Sequence, residues 1–357
     1  MGKLDGYLSN EKIIMNSYNQ NQVSSENRPR IDFIDWARGF AAFLVVMQHS
    51  FESFSPGFYS WSLEYVNFGM VGVICFFLIS GYVIAHTADN KSIPMFLIQR
   101  FFRIFPLYWF LLFLGMSTAI YWYKTPDIKV AIANVFLIQD YIGLVSYVGG
   151  SWTLPLELAF YTLFILRKSS YFMRNNSSIL WFFALIISVL ISMRIFLDIK
   201  IPLGRMLLIY AAFQSTLWYE KKYTDLKKGK EARVNFFLLI SVVLYYVSLN
   251  ENPLFSPLCL FFSWIIGHLL FFMFSKTKPV TIIANILTWM GKVSYSVYLC
   301  QGLILTWISF LKLPLVCYLL TIPFAYLFAQ LIHHLIEQPG IRLGKNIVKT
   351  LYSKVRI

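Results

Sequence analysis

Two ionisable residues lie in the first long apolar stretch of the sequence, DFIDWARGFAAFLVVMQHS. Arg38 and His49 are eleven residues apart, which is about 1100° of helical rotation and ~16 Å of rise, so both side chains share one helix face. An imidazole gains and loses a proton near neutral pH, which suits general-base attack by a hydroxyl. In the structural alternative, Arg38 extends to the inner membrane surface and His49 caps the outer helix end.

Two arginines one helical turn apart follow the second apolar stretch, in QRFFRIFP. At this spacing Arg100 and Arg103 face the same side of a helix, and two guanidinium groups suit a phosphate-bearing ligand. The alternative is an anchor at the inner membrane surface that follows the positive-inside rule.

A carboxylate begins another apolar stretch, in GGSWTLPLE. Pro155 suits the first turn of a helix and Ser151 suits its cap, which places Glu157 about one and a half turns below the outer end. A carboxylate at this depth needs a partner, and His49 and Arg38 are the nearest in depth. Glu157 therefore either orients the imidazole or neutralises the arginine.

The other polar residues in apolar stretches indicate structure more than chemistry. A run of hydroxyls around Tyr295 either lines a sugar path or anchors a helix. Neither the four remaining histidines nor the cysteines have zinc or copper spacing, so we expect no metal ion and no bound cofactor. These residues are His86, His268, His333, His334, Cys75, Cys259, Cys300 and Cys317.

The composition shows which elements must position these residues. Of 357 residues, 58% are hydrophobic, 18% aromatic and only 13% charged, and the mean hydropathy is +0.61. This much apolar surface exceeds what one soluble core can bury. Continuous apolar runs favour helices over the alternating strands of a barrel. The sequence therefore predicts an all-α integral membrane protein.

Apolar runs and their polar flanks predict about ten transmembrane helices. The predicted spans are 32–50, 68–86, 104–123, 152–166, 178–197, 203–219, 234–249, 255–274, 292–311 and 313–335. A further apolar segment, 128–147, is interrupted by Asn134, Gln139 and Asp140. If it crossed the membrane, the basic cluster at 167–174 would lie outside, against the positive-inside rule. We therefore predict a re-entrant or interfacial segment.

The net charge of +14 lies in short clusters between apolar spans, which indicates membrane orientation and not nucleic-acid binding. Both termini are then cytoplasmic. We predict a polar tail over 1–30, one transmembrane domain over 31–340 and a basic tail over 341–357. No signal-peptide pattern precedes the first span, which we expect to direct insertion.

Taken together, these segments resemble the acyltransferase family 3 of bacterial membrane proteins, which O-acylate surface and exported glycans. Six motifs carry the resemblance: Asp35-x-x-Arg38-Gly39 with His49, Phe76 to Gly81 (FFLISG), Arg100 to Trp109 (RFFRIFPLYW), Ser151-Trp152-Thr153-Leu154-x-x-Glu157, Ser294-Tyr295-Ser296-x-Tyr298-Leu299 and Glu337-Gln338-Pro339.

The resemblance implies a ten-helix fold, a cytoplasmic acyl-CoA donor (usually acetyl-CoA) and an acceptor sugar on the outer side. It makes Arg38 and His49 essential, with Arg100, Arg103 and Glu157 in supporting roles. In our hypothesis the donor phosphates bind Arg100 and Arg103. His49, oriented by Glu157, deprotonates a sugar hydroxyl. Five further motif positions are expected to contact the acceptor or support the site: Asp35, Ser80, Ser151, Trp152 and Tyr295.

Two positions depart from the family pattern. Pro155 stands where an aliphatic residue is expected, and Gln301 stands where many relatives carry a histidine, which leaves His49 as the well-placed base. Relatives with a fused esterase-like domain are longer, so we expect transfer to finish within the membrane domain or on a separate partner.

Two other functions were weighed against this one. A transporter or flippase for a lipid-linked glycan also needs a polar path, but such proteins often have paired broken helices, and the sequence has one interrupted segment and no repeat. A relative without activity would act as a scaffold for polysaccharide assembly proteins. We expect the bacterial inner membrane as location, with acyl-CoA, a glycan acceptor and lipid as partners.

Overall fold

Helices and connecting turns make up the chain wherever the computed structural model describes it, which is over residues 31–88, 92–123, 127–169, 176–197, 203–222, 255–311 and 315–354. No β-strand occurs in these ranges. The predicted all-α class is therefore confirmed for the described chain.

Twelve α-helices follow one another in the described ranges. They are α1 (Asp32–Phe54), α2 (Pro56–Glu64), α3 (Phe68–Ala88), α4 (Ile93–Tyr123), α5 (Ile128–Val135), α6 (Leu154–Ser169), α7 (Asn176–Leu197), α8 (Leu203–Lys222), α9 (Pro257–Lys276), α10 (Thr281–Phe310), α11 (Thr321–Ile332) and α12 (Gln338–Lys354). Short 3₁₀ turns cover Gln139–Tyr141, Ser151–Thr153 and Leu315–Leu320, and a π-helical turn, His333–Glu337, joins α11 to α12.

Five stretches in the described chain are long and apolar enough to cross a membrane: Phe68–Thr87, Ile93–Trp122, Leu258–Lys276, Thr281–Phe310 and Tyr318–Leu351. Ten crossings and cytoplasmic termini stay predictions. The predicted span 234–249 and tail 1–30 lie outside the described residues. Helices α4 and α10 both begin eleven residues before the predicted spans 104–123 and 292–311, because each continues past the charged residues at which the span was taken to start, Arg103 and Lys292.

Helix α1 lies at the centre of the bundle, in contact with α3, α9, α10 and α11. Small residues allow the helix backbones to approach closely. A Cβ added at Gly39 would lie 2.9 Å from the backbone nitrogen of Gly291 on α10. On the other side, a Cβ added at Gly72 of α3 would lie 2.6 Å from the carbonyl oxygen of Ala41. Backbone contacts on two sides therefore hold α1 in place.

The segment between α4 and α6 folds back along α4. Helix α5 has 8 residues, a length of about 12 Å, which is too short to cross a bilayer core of ~30 Å. Its buried Asn134 donates to the carbonyl oxygens of Val130 and Val145, both at 2.9 Å, and accepts from the backbone N–H of Tyr147 at 3.0 Å. The hydroxyl of Tyr108 donates to the carbonyl of Asn134 at 2.6 Å. These contacts support the predicted re-entrant segment.

The turn that leads into α6 contacts α10. Gly150 has a φ of +79°, in the left-handed region that favours glycine. Its carbonyl oxygen accepts from the Tyr298 hydroxyl at 3.2 Å. The start of α6, and with it Glu157, is thus fixed against the helix that carries the predicted hydroxyl motif.

Alanine at two glycines should have opposite effects on stability. At Gly81 on α3, a Cβ would collide with the carbonyl oxygen of Ala212 and the Ser215 hydroxyl on α8, whereas a Cβ at Gly204 would meet nothing within 4 Å. Overpacking costs about 1–3 kcal/mol, while alanine is favoured over glycine in an open helix by up to about 1 kcal/mol. We expect Gly81→Ala to lower the melting temperature in detergent and Gly204→Ala to preserve or raise it. Equal melting temperatures would contradict this packing.

Candidate active site

A cavity of about 360 Å³ opens between α1, α3, α4, α6, α10 and α12. This volume falls within the roughly 300–1,000 Å³ of small-molecule sites. Its lining includes four cationic side chains and one carboxylate, Arg38, Arg100, Arg103, Lys345 and Glu157. The excess of positive charge favours an anionic ligand.

Aromatic rings and a hydroxyl hold Arg100 in place. Its guanidinium carbon lies 5.3 Å from the ring centroids of both Phe96 and Tyr161, within the range of cation–π attraction. One of its terminal nitrogens donates to the Thr87 hydroxyl at 3.3 Å. These contacts leave further N–H donors of the guanidinium for a ligand, since arginine has five.

Carboxylates surround the deeper arginine. Burial disfavours the charged form of Arg38, as does Arg103, while the nearby carboxylates Asp35, Glu337 and Glu157 favour it. Glu157 accepts a hydrogen bond from the hydroxyl of Tyr161, one turn along α6. Glu157 therefore lies with the arginines in the cavity, and its role in neutralising Arg38 stays a prediction.

The π-helical turn between α11 and α12 brings a buried carboxylate to the same region. One oxygen of Glu337 accepts from the Ser296 hydroxyl at 2.7 Å and from His333 Nδ1 at 2.8 Å. Arg103 is among the charges that stabilise the ionised carboxylate of Glu337. The turn therefore links the last helices to the arginine cluster, in a type of element that occurs frequently at functional sites.

Hydroxyl groups and apolar side chains form most of the rest of the cavity lining. Ser80, Thr153, Tyr295 and Tyr298 line it. Three of these hydroxyls have protein partners: that of Tyr295 donates to the carbonyl of Ile104 at 2.9 Å, and those of Tyr298 and Thr153 lie 3.2 Å apart. This part suits the less polar portion of an elongated ligand.

His49 lies at the other end of α1 from the basic residues, outside the cavity lining. Its side chain is 47% exposed, and Nδ1 lies 3.0 Å from an oxygen of Glu52. The cavity reaches Val73, whose neighbour Gly72 contacts Val45 on α1. Gly72 also contacts Ala41, and His49 follows Ala41 and Val45 by eight and four residues, so Val73 lies about 6–12 Å below the histidine, measured along the helix.

Three polar side chains hold the carboxylate of Glu52. Its second oxygen accepts from Gln48 Nε2 at 2.7 Å, Asn67 Nδ2 at 3.4 Å and the Ser62 hydroxyl at 3.5 Å. An ionised carboxylate can only accept hydrogen bonds, so Nδ1 of His49 carries the proton and donates to Glu52. Nε2 of His49 then remains an acceptor. The pair has the geometry of a general base oriented by a carboxylate.

The predicted contact between Glu157 and His49 is wrong. Glu157 lies in the cavity beside Tyr161, and His49 binds Glu52. The reason is the length of α1, which continues to Phe54 and brings Glu52 within one turn of the histidine. Glu52 lies beyond the end of the predicted span 32–50.

The remaining predicted positions separate into two groups. Ser80 and Tyr295 line the cavity with the arginines, and Asp35 lies near Arg38. Ser151 and Trp152 do not line it. The predicted cap role of Ser151 is wrong, because the residue lies in a 3₁₀ turn and caps no helix. Its hydroxyl instead lies 2.7 Å from that of Ser146 and accepts from Gln139 at 3.2 Å.

Three site residues were missed in the sequence. Glu52 had a usable signal, since a carboxylate three residues after a histidine faces it on a helix. The sequence places Glu337 in a motif without giving it a role, and it places Lys345 in a basic tail. Both depend on the turn after α11, for which the sequence gives no distinct pattern.

Two comparisons with known proteins found similar sequences. A family model described as an acyltransferase domain matches residues 31–335. Acyltransferase MdmB of Streptomyces mycarofaciens is 28% identical over 149 residues, which is 38% of this chain and 38% of the relative. The chain therefore covers well under half of that relative's length. No solved structure matches the chain.

The contact with Glu52 predicts the tautomer of His49. In protein labelled with ¹⁵N-histidine and reconstituted in lipid, we expect solid-state NMR to show His49 protonated at Nδ1, its signal identified by its loss in His49→Gln. Glu52→Ala removes the acceptor and should reduce protonation at Nδ1. Glu64→Ala, at an exposed residue of α2, is the control. An unchanged signal in Glu52→Ala would exclude the orienting role.

Proposed function

The chain belongs to this acyltransferase family, as its motifs predicted, and from that membership we propose that it transfers an acyl group, acetyl in the first instance, from acyl-CoA to a sugar hydroxyl of a cell-surface or exported polysaccharide. One observation carries the proposal. Arg38, which lines a cavity together with Arg100 and Arg103, lies on the same helix as the His49–Glu52 pair, and the pair lies beyond the end of the cavity.

The donor phosphates are assigned to Arg100 and Arg103. Both side chains line the cavity, and guanidinium groups bind phosphate with paired, charge-assisted hydrogen bonds. The pantetheine arm would then run along the hydroxyl-lined part of the cavity, past Arg38. The ~16 Å of α1 between Arg38 and His49 is a suitable distance for such an arm.

The reaction requires one base and no metal ion. Nε2 of His49 takes the proton of the sugar hydroxyl while its oxygen attacks the thioester carbonyl. The carbon–sulfur bond then breaks, the acyl group stays on the sugar oxygen, and CoA leaves as a thiolate that takes up a proton. Glu52 stabilises the imidazolium that forms, as its contact with Nδ1 allows.

The glycan acceptor is assigned from the family resemblance and from the position of the base. This is a multi-pass membrane protein, with five apolar helices in its described part. At 47% exposure His49 is open to an acceptor from the end of the bundle opposite the basic residues. We place the chain in the bacterial inner membrane, with the acceptor on the outer side.

The test is the acylation of surface glycans in cells without this gene, complemented with wild type, His49→Ala or Glu52→Gln. A general base contributes about 10²–10⁴-fold, so we expect His49→Ala to lose the O-acyl signal in mass and NMR spectra. Glu52→Gln should retain part of the activity, since an amide oxygen still accepts from Nδ1–H but without charge. Glu64→Gln is the control.

Two results would contradict the proposal. Full O-acylation with His49→Ala would exclude this base. An unchanged acylation pattern combined with a defect in glycan export would favour the lipid-linked glycan transporter.

The arginine cluster should determine the KM for the donor. A hydrogen bond to a charged group contributes about 1.5–3 kcal/mol, so Arg100→Gln or Arg103→Gln should raise the KM for acetyl-CoA about tenfold or more. The kcat should change less, because phosphate contacts are the same in the ground and transition states. Arg205→Gln, whose side chain lies over Tyr141, is the control. A lower kcat at unchanged KM would argue against phosphate binding.

A further inference from the structure

The C-terminal helix α12 lies beyond the matched residues 31–335, yet it forms part of the cavity wall. Its glycines dock it on α4. A Cβ added at Gly340 would lie 3.0 Å from the carbonyl oxygen of Phe102, and one at Gly344 would lie 2.7 Å from the Phe102 Cβ. This close contact fixes both the distance and the rotation of α12 against the helix that carries Arg100 and Arg103.

That rotation directs one side of α12 to the cavity. Ile341 and Lys345, one turn apart, both line it, as expected for residues four apart on a helix. Arg342 and Lys349 are exposed and do not belong to the lining. The basic residues of this helix are therefore not equivalent, and only one of those described contributes its charge to the cavity.

One cation of the cavity differs from the others in exposure. Lys345 is exposed, whereas Arg38, Arg100 and Arg103 are partly buried. Arg38 lies on the central helix, Arg100 contacts Thr87 near the end of α3, and Lys345 follows Gly344, which packs on Phe102 between the two arginines of α4. For an elongated donor with its thioester toward His49, Lys345 is the lining cation open to the solvent-facing end.

CoA has phosphates at two positions along its length. The diphosphate follows the pantetheine arm, and the 3′-phosphate lies on the ribose at the far end. If Arg100 and Arg103 bind the diphosphate, the exposed cation of the lining, Lys345, remains for the ribose end. We propose that α12 completes the donor site and that Lys345 binds the 3′-phosphate of CoA. This inference rests on the proposed acyl-CoA donor.

The competing explanation is an ordinary positive charge near the membrane surface. Lysines at a cytoplasmic helix end follow the positive-inside rule without binding any ligand. Under that explanation Lys345, Arg342 and Lys349 are interchangeable. Under the proposal, only Lys345 distinguishes a donor with a 3′-phosphate from one without it.

Binding of CoA and 3′-dephospho-CoA to the purified full chain in lipid nanodiscs tests this by isothermal titration calorimetry, without any acceptor. An exposed ion pair contributes about 0.2–1 kcal/mol, so we expect Lys345→Ala to weaken CoA binding roughly two- to fivefold. Lys345→Glu should weaken it further. Both substitutions at Lys345 should change the Kd for 3′-dephospho-CoA less than the Kd for CoA. Lys349→Ala should leave the Kd of both ligands unchanged.

The outcomes separate the two proposals. Equal weakening of both ligands by Lys345→Ala, or an effect no larger than that of Lys349→Ala, overturns the role of Lys345 while leaving the donor in place. If folded wild-type protein binds neither ligand, the acyl-CoA donor itself is wrong, and the assignment of Lys345 is lost with it. A melting temperature equal to that of wild type confirms that each variant is folded.

Discussion

Positive charge inside an apolar bundle is the constraint on which this structure depends. Removing a guanidinium group from water costs several kcal/mol unless anions and hydrogen-bond acceptors surround it. Here the acidic side chains Asp35, Glu157 and Glu337 lie around Arg38, and aromatic rings flank Arg100. These neighbours come from three different helices, α1, α4 and α6, and from the π-helical turn. The helices must therefore assemble in one arrangement for the charges to be stabilised, and an anionic ligand would complete the compensation.

The same central helix connects this cluster to the base. Close contacts at Gly39 and Gly72 leave no room for side chains between α1 and its neighbours, which fixes its rotation. The face that presents Arg38 to the cavity then also determines where His49 emerges, eleven residues later. The chemistry proposed for the two ends is thus coupled through rigid backbone contact and needs no moving part.

Much of this organisation follows from sequence pattern, and the rest depends on tertiary contacts. Apolar runs predicted the helices, and the arginines with Glu157 do line one cavity. The partner of His49 was misassigned because helix length decides it, and α1 extends past the apolar run to Glu52. Lys345 was out of reach, since no local pattern shows that α12 packs back on α4. The periodicity of apolar residues predicts individual helices. A site assembled from six helices depends on how those helices pack against one another.

The fixed position of α1 has a consequence for substrate selection. If the donor is anchored by its phosphates and the base is anchored by Glu52, the backbone contacts at Gly39 and Gly72 make the distance between them a molecular ruler. A short acyl group would place its carbonyl at the base. Each extra methylene must then be accommodated sideways, among residues such as Phe76 and Val73, so those side chains would set the permitted acyl chain length.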